Sequence, residues 1–185
     1  MIKRIVGITA LIGALFFVFS YEHQISYHIS NFTDEVKKPF EMAKFVAEPA
    51  EAHILMPVER IKKQQIADTW GAPRDTDRTH EGQDIFAKKG TPILSATEGY
   101  IVRIGENTLG GKTVSVLGRG GYRYYYAHLD NYAPELSVGQ KVSTTTIIGF
   151  VGNTGNAAKT PAHLHFGIYT PKGPINPLTL LTDRT

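Results

Sequence analysis

A chain of 185 residues that is 42% hydrophobic has room for one domain of moderate size plus a short appendage, and enough apolar mass for a real core. Lys3 and Arg4 supply two of the net +3 charges, leaving +1 from residue 21 onward, which is no footprint for binding nucleic acid. The absence of cysteine excludes a thiol nucleophile, thiolate metal ligands, disulfides and a lipidated cysteine.

Along the chain, Lys3-Arg4 is followed by an apolar run from Ile5 to Phe19, the positive flank and hydrophobic core of an export signal. Ser20 and Tyr21 bring this segment near the lower limit of about 17 residues for a spanning helix. A cleavage site needs small residues at alternating positions, and here Ser20 has bulky Val18 two places before it. Residues 1–21 therefore read as a signal anchor or transmembrane helix in preference to a cleaved signal peptide, and the positive-inside rule places the rest of the chain outside the cytoplasm. Residues 22–55, with Asp34, Glu35, Lys37 and Lys38, prolines at 39 and 49, and apolar Phe40, Met42, Phe45 and Val46, read as a spacer containing a short helix.

From Met56 the pattern changes to β. Pro92–Ala96, Tyr100–Gly105, Lys112–Leu117, Tyr122–His128, Thr146–Val151 and His163–Tyr169 are short, β-branched or aromatic runs. Glu98-Gly99, Leu109-Gly110-Gly111, Gly118-Arg119-Gly120-Gly121 and Gly152-Asn153-Thr154-Gly155-Asn156 separate them with turn chemistry. An all-β domain over residues 56–183 follows, an antiparallel sandwich or barrel. Its long polar loop 152–162 ends at a histidine pair, where such a loop walls a site.

Three histidine motifs carry the chemistry, and they hold four of the chain's seven histidines. Ala162-His163-Leu164-His165-Phe166 alternates, so both imidazoles point to one face of a strand. Arg78-Thr79-His80-Glu81-Gly82-Gln83-Asp84-Ile85 places a histidine and a carboxylate four residues apart around a helix-breaking glycine, on a loop entering a strand. In Tyr126-Ala127-His128-Leu129 a histidine ends an aromatic strand. Alone, His128 reads as a hydrogen-bonded strand-end histidine and Asp84 as a turn cap; together with the His pair they point to a metal site.

In this order, His-x-Gly-x-Asp, Tyr-Ala-His-Leu and His-Leu-His-Phe resemble the M23 (lysostaphin/LytM-type) family of zinc metallopeptidases that cut peptidoglycan, over roughly residues 56–180. The resemblance implies an antiparallel β fold, sandwich- or barrel-like with a duplicated hybrid motif, whose groove has a sheet for its floor and loops for its walls. Val138-Gly139-Gln140-Lys141-Val142 and Ile147-Ile148-Gly149 are similar to the turn region these domains share with lipoyl-carrier modules, with Thr144-Thr145 departing from the usual turn. It also implies that His80, Asp84 and His165 bind one Zn²⁺ and that His128 and His163 are the catalytic histidines. Two neutral nitrogens and one carboxylate leave the ion a net +1. Three protein ligands with one open position bring a bound water from a pKa of about 15.7 to about 7.

The function so implied is a zinc metalloendopeptidase acting on peptide cross-links or stem peptides of peptidoglycan in the bacterial envelope, anchored in the inner membrane and facing the periplasm or exterior, or secreted to the periplasm if the N-terminal segment is cleaved. No wall-targeting module is recognisable, which fits an endogenous remodelling enzyme. The rival is a non-catalytic LytM-type regulator that binds and activates a cell-wall amidase; such relatives lack one or more of the five residues, and this chain has all five. A lipoyl-like carrier leaves the His80/Asp84 pair without a purpose. Tyr122, Tyr124 and Tyr126 read either as groove floor or as core. Arg74 and Arg78, in and after Trp70-Gly-Ala-Pro-Arg, read either as surface or structural groups or as ligands of a substrate carboxylate. His23, His28 and His53 read as solvent-exposed.

Overall fold

A computed structural model of the chain describes Gln24, residues 37–74 and residues 78–185. The hydrophobic segment 1–21 lies outside the described residues, as do His23 and His28. Among the described residues no helix is long and apolar enough to cross a membrane. The chain divides into two units, Met1–Ala43 and Lys44–Thr185. Residues 37–46 are helical, and among the described residues every strand lies in the second unit.

The strands begin with β1 (Ile54–Leu55), β2 (Pro73–Arg74), β3 (Arg78–Thr79), β4 (Gln83–Phe86) and β5 (Pro92–Leu94). The long central ones are β6 (Gly99–Asn107), β7 (Gly111–Leu117) and β8 (Arg123–Tyr132), followed by the short β9 (Lys141–Val142). The last four are β10 (Ile147–Val151), β11 (His163–Thr170), β12 (Gly173–Ile175) and β13 (Leu181–Thr182). All six apolar runs read from the sequence form strands, with boundaries shifted by a few residues.

Nine of these strands make one sheet in the order β12-β11-β8-β7-β6-β9, with β4 paired to β11 and β10 bridging β8 and β5. Its pairings are antiparallel, as the hairpin-rich sequence requires. The sheet is not closed, so the barrel alternative falls. β8 explains its shape: Arg123–Ala127 pairs with β11, whereas Leu129–Tyr132 pairs with β10. Between these halves a bulge sets Ala127 and His128 opposite one residue of β7, and bulges bend a strand and increase its twist.

The core lies beneath the sheet. Leu164, Phe166 and Ile168 of β11, Tyr124, Tyr126 and Leu129 of β8, and Val114 and Val116 of β7 are all buried together with Ile85, Ile93, Ile101 and Ile148. Each large apolar side chain removed from water contributes about 1.5–3 kcal/mol before entropy is set against it. Tyr124 and Tyr126 therefore settle as core, and Tyr126 can be buried because its hydroxyl accepts a hydrogen bond from Ala96 N at 2.9 Å. Thr144 and Thr145 turn between β9 and β10, closed by hydrogen bonds in both directions between Ser143 and Thr146. The ends of the domain are tied by parallel pairing of β1 with β13, and by Arg184 donating to the carbonyls of Met56, Ser95 and Thr144.

Candidate metal centre

β4 and β11 run antiparallel in a register that sets Asp84 opposite His165 and Phe86 opposite His163. Opposite residues share a face, so the carboxylate and both imidazoles emerge on the same side, above the core face of Leu164 and Phe166. His80 comes from the turn between β3 and β4, held by hydrogen bonds from His80 N to Ala72 O and from Gly71 N to His80 O.

Three atoms meet as a result. His80 Nε2 lies 2.8 Å from His165 Nδ1 and 3.0 Å from Asp84 Oδ1, and His165 Nδ1 lies 3.1 Å from the same oxygen. A tetrahedral zinc with bonds of about 2.0–2.1 Å has ligand edges of about 3.3–3.4 Å, so each side of this triangle need open by no more than about 0.6 Å. The donor chemistry agrees. His80 Nδ1 contacts the carbonyl of Thr69 at 2.6 Å; a carbonyl only accepts, so Nδ1 donates there and Nε2 is the ring nitrogen left facing Asp84 Oδ1. Two ring nitrogens and a carboxylate oxygen thus converge, and this group of residues could hold a metal ion.

The supports of the triangle come from the segment before β2. Thr69 contributes its carbonyl to His80 and its hydroxyl oxygen to Asp84 N at 2.9 Å. Fully buried Gln83 donates to Ala67 O at 2.6 Å. Gly82 is required by contact: a Cβ there would lie 2.4 Å from His165 Cε1 and 3.0 Å from Phe166 O. Burial pushes the Asp84 carboxyl up, but the hydrogen bonds and charges of His165 and His80 outweigh it and hold that carboxyl well below the usual carboxylate range. Burial also lowers His165, against the pull of Asp84.

His128 and His163 stand beside the triangle without joining it. Their ring centroids are 4.9 Å apart, and His163 Nε2 lies 3.9 Å from Asp84 Oδ1. Each Nδ1 donates to a main-chain carbonyl, His128 to Thr154 O and His163 to Pro161 O, both at 2.9 Å. Each therefore keeps its lone pair on Nε2. Burial and the neighbouring His163 push the His128 imidazole down to about 4, against the Thr154 bond, so it is neutral near pH 7.

His128 reaches this side only because of the bulge. Strict alternation would send it into the core with Tyr124 and Tyr126; instead it adopts φ 64° and follows Ala127 onto the groove face. All five predicted site residues line one groove of about 710 Å³. Its walls are the loop before β7 and the loop after β10, pressed together where Gly111 and Gly155 leave no room for a Cβ. Thr154 pins that contact, accepting from Lys112 N and donating to Leu129 O, both at 2.9 Å.

Arg74 donates to Asp84 Oδ2 at 2.5 Å, which fits the structural one of its sequence readings: it is a partner of the site carboxylate. His53 is exposed, as read. Sequence reasoning passed over Thr69, Thr154 and Pro161, which act through main-chain carbonyls that no side-chain pattern signals. It also passed over Arg123 and Tyr125 on the groove face, because the parity of β8 was counted through His128 without the bulge, and over Tyr169, which shares the face of His163 and His165 on β11.

The model of peptidase family M23 matches residues 78–177, more than half of the chain. An L-Ala--D-Glu endopeptidase of Bacillus subtilis is 38% identical over 112 residues, which is 57% of this chain and 34% of that protein. Among solved structures, Helicobacter pylori Csd3 superposes with a TM-score of 0.58 at 33% identity, covering 72% of this chain and 35% of that one. The catalytic domain of lysostaphin from Staphylococcus simulans superposes with a TM-score of 0.54 at 28% identity, covering 63% of this chain and 92% of that domain. The chain spans about a third of the length of the curated Bacillus relative.

Proposed function

The chain belongs to peptidase family M23, and from that premise we propose that it is a zinc metalloendopeptidase hydrolysing peptide cross-links or stem peptides of bacterial peptidoglycan. The observation that carries this reading is the triangle of His80 Nε2, Asp84 Oδ1 and His165 Nδ1, with two further imidazoles beside it whose Nε2 lone pairs are left for proton transfer. His80, Asp84 and His165 are assigned as the ligands of one zinc ion, which when bound supplies a Lewis acid towards water and the amide carbonyl.

The remaining work falls to the chain's own side chains. His128 and His163 are assigned as the catalytic histidines. With Nδ1 held by a carbonyl, each accepts a proton at Nε2, and the imidazolium so formed donates that proton to the developing oxyanion or the departing amine. Their closeness disfavours charging both at once, so one proton shared by the pair suits the sequence of taking and returning it. The loops before β7 and after β10 shield the reacting centre from bulk water.

The catalytic domain is assigned to residues 56–183, residues 22–55 to a spacer, and residues 1–21 to an anchor that holds the enzyme at the bacterial envelope, facing away from the cytoplasm. The names of relatives point to two kinds of bond, an L-Ala–D-Glu bond in the Bacillus protein and glycyl-glycine bonds in a Staphylococcus capitis endopeptidase.

The test is zinc content by elemental analysis beside digestion of purified peptidoglycan, with and without chelator and with Asp84→Ala as control. One zinc per chain with chelator-sensitive peptide release is the expected result, and mass spectra of the products name the bond. Zinc without cleavage of any wall type would replace this reading with that of an amidase regulator, and a chain without zinc would overturn it.

A further inference from the structure

Two rows of side chains run along the groove floor. β8 and β11 are paired in a register that sets Ala127 opposite His165, Tyr125 opposite Gly167 and Arg123 opposite Tyr169. The first row lies at the metal-ligand cluster. The third lies four residues further along both strands, about 13 Å at 3.3 Å per residue. That is the reach of about four residues of an extended peptide lying on the floor.

The row between is low on one side. Gly167 presents no side chain, and a Cβ there would already meet Tyr169 at 3.0 Å. Tyr125 leans the other way, its hydroxyl against Gly110 and accepting from Asn107 Nδ2. The ring of Tyr125 thus stands as a wall over a channel that leads from His165 to Tyr169, edge-on to both rings at 6.2 and 6.4 Å.

At the far end the Arg123 guanidinium carbon sits 4.2 Å over the ring of Tyr169. Stacking on an aromatic face fixes the plane of a guanidinium while leaving its N–H fork free for a bidentate partner. Among the described residues no carboxylate lies within ion-pair distance of Arg123. Of the two acidic residues lining the groove, Asp84 is committed to Arg74 and the ligand histidines, and Arg123 is the arginine whose guanidinium lies on Tyr169.

Resting on the reading of this groove as a peptidase site, we infer that Arg123 and Tyr169 form a carboxylate-binding subsite. It takes an anionic peptide whose free carboxylate lies about 13 Å from the scissile amide. The substrate class is therefore acidic wall peptide and not an uncharged oligoglycine, which would leave the guanidinium without its partner. The fork closes on both carboxylate oxygens in substrate and transition state alike, so its contribution appears in KM and leaves kcat unchanged.

The test compares two forms of one wall peptide spanning the cleaved bond, one with its free carboxylates and one with them converted to carboxamides, on the zinc-loaded full chain. The wild-type chain prefers the acid form, and Arg123→Gln raises KM for that form about tenfold at unchanged kcat while handling the carboxamide as before. Arg123→Lys keeps the charge without the fork and recovers only part of the preference. Equal treatment of both forms by the wild-type chain, or equal losses on both forms in Arg123→Gln, overturns the subsite. Calorimetric titration with the same pair separates this outcome from failure of the peptidase reading. In a chain that cleaves nothing, the acid form must still bind about tenfold more tightly and lose that margin in Arg123→Gln, and equal binding of both forms refutes the inference.

Discussion

Arg74 and Asp84 share one carboxylate between two duties: Arg74 Nη2 holds Oδ2, while Oδ1 faces the ring nitrogens of His80 and His165. A ligand held from behind in this way is oriented before the metal arrives. Arg74→Gln is predicted to weaken zinc retention about 10- to 100-fold with the β fold unchanged. Competition against a chromophoric chelator measures it, with circular dichroism as the control for folding. Retention equal to wild type would reduce the pair to a surface contact.

The histidines assigned as ligands and those assigned to proton transfer should separate under mutation. His80→Ala and Asp84→Ala are predicted to lose the metal. His128→Ala and His163→Ala keep one zinc per chain and lose about 10²- to 10⁴-fold in kcat. Elemental analysis run beside wall digestion decides each case. A zinc-replete Asp84 variant would displace Asp84 from the ligand set.

Gly82 gives a more selective test. Its φ lies outside the left-handed region, so alanine is permitted by the backbone, and the obstacle is the His165 ring 2.4 Å from the added methyl. Overpacking of this kind costs about 1–3 kcal/mol in stability. Moving one ligand nitrogen by an ångström damages the metal site far more. Gly82→Ala should remain folded by thermal melt and bind zinc at least about tenfold more weakly. A variant that binds zinc normally would mean that the ring yields without cost.

The metal-free protein should lose stability on mild acidification. His128 is pushed down to about 4 in the folded chain from an ordinary 6.5, and His165 is lowered as well. A lowered histidine stays neutral when folded, so between these pH values the unfolded state binds more protons. Stability then falls with falling pH, by up to about 1.4 kcal/mol per pH unit for each group in its window. Asp84 does not confuse this range: its carboxyl is held down, so its contribution persists above the ordinary 3.8 and fades only at lower pH. Urea melts of the chelated protein from pH 7 to pH 4.5 measure the slope. His128→Gln should flatten it, and an unchanged slope would show that other groups carry it.

Much of this molecule is legible in its residues, for identifiable reasons. The six central strands announce themselves through β-branched and aromatic runs, and the His-Leu-His alternation fixes which face of β11 carries chemistry. β4 is legible only as the strand that the His80–Asp84 loop enters, because its four residues, Gln83–Phe86, are too few for a period to emerge. The two-residue strands β1, β2, β3, β9 and β13 exist through tertiary partners and have no local signature. The tyrosines of β8 show where alternation misleads: their parity is sound, and His128 is the residue that departs from it.

That departure makes the site depend on counting. A strand is a two-valued ruler on which odd and even positions belong to opposite worlds, and the extra residue at Ala127–His128 resets the ruler once, between core and catalysis. Upstream, even numbers are core tyrosines; from His128 the even position lines the groove and the odd one, Leu129, is core. Deleting one residue between Tyr126 and Leu129 would leave every remaining side chain chemically intact and still exchange inside for outside on one half of the strand. The identity of His128 is thus only half of its specification; the other half is an integer.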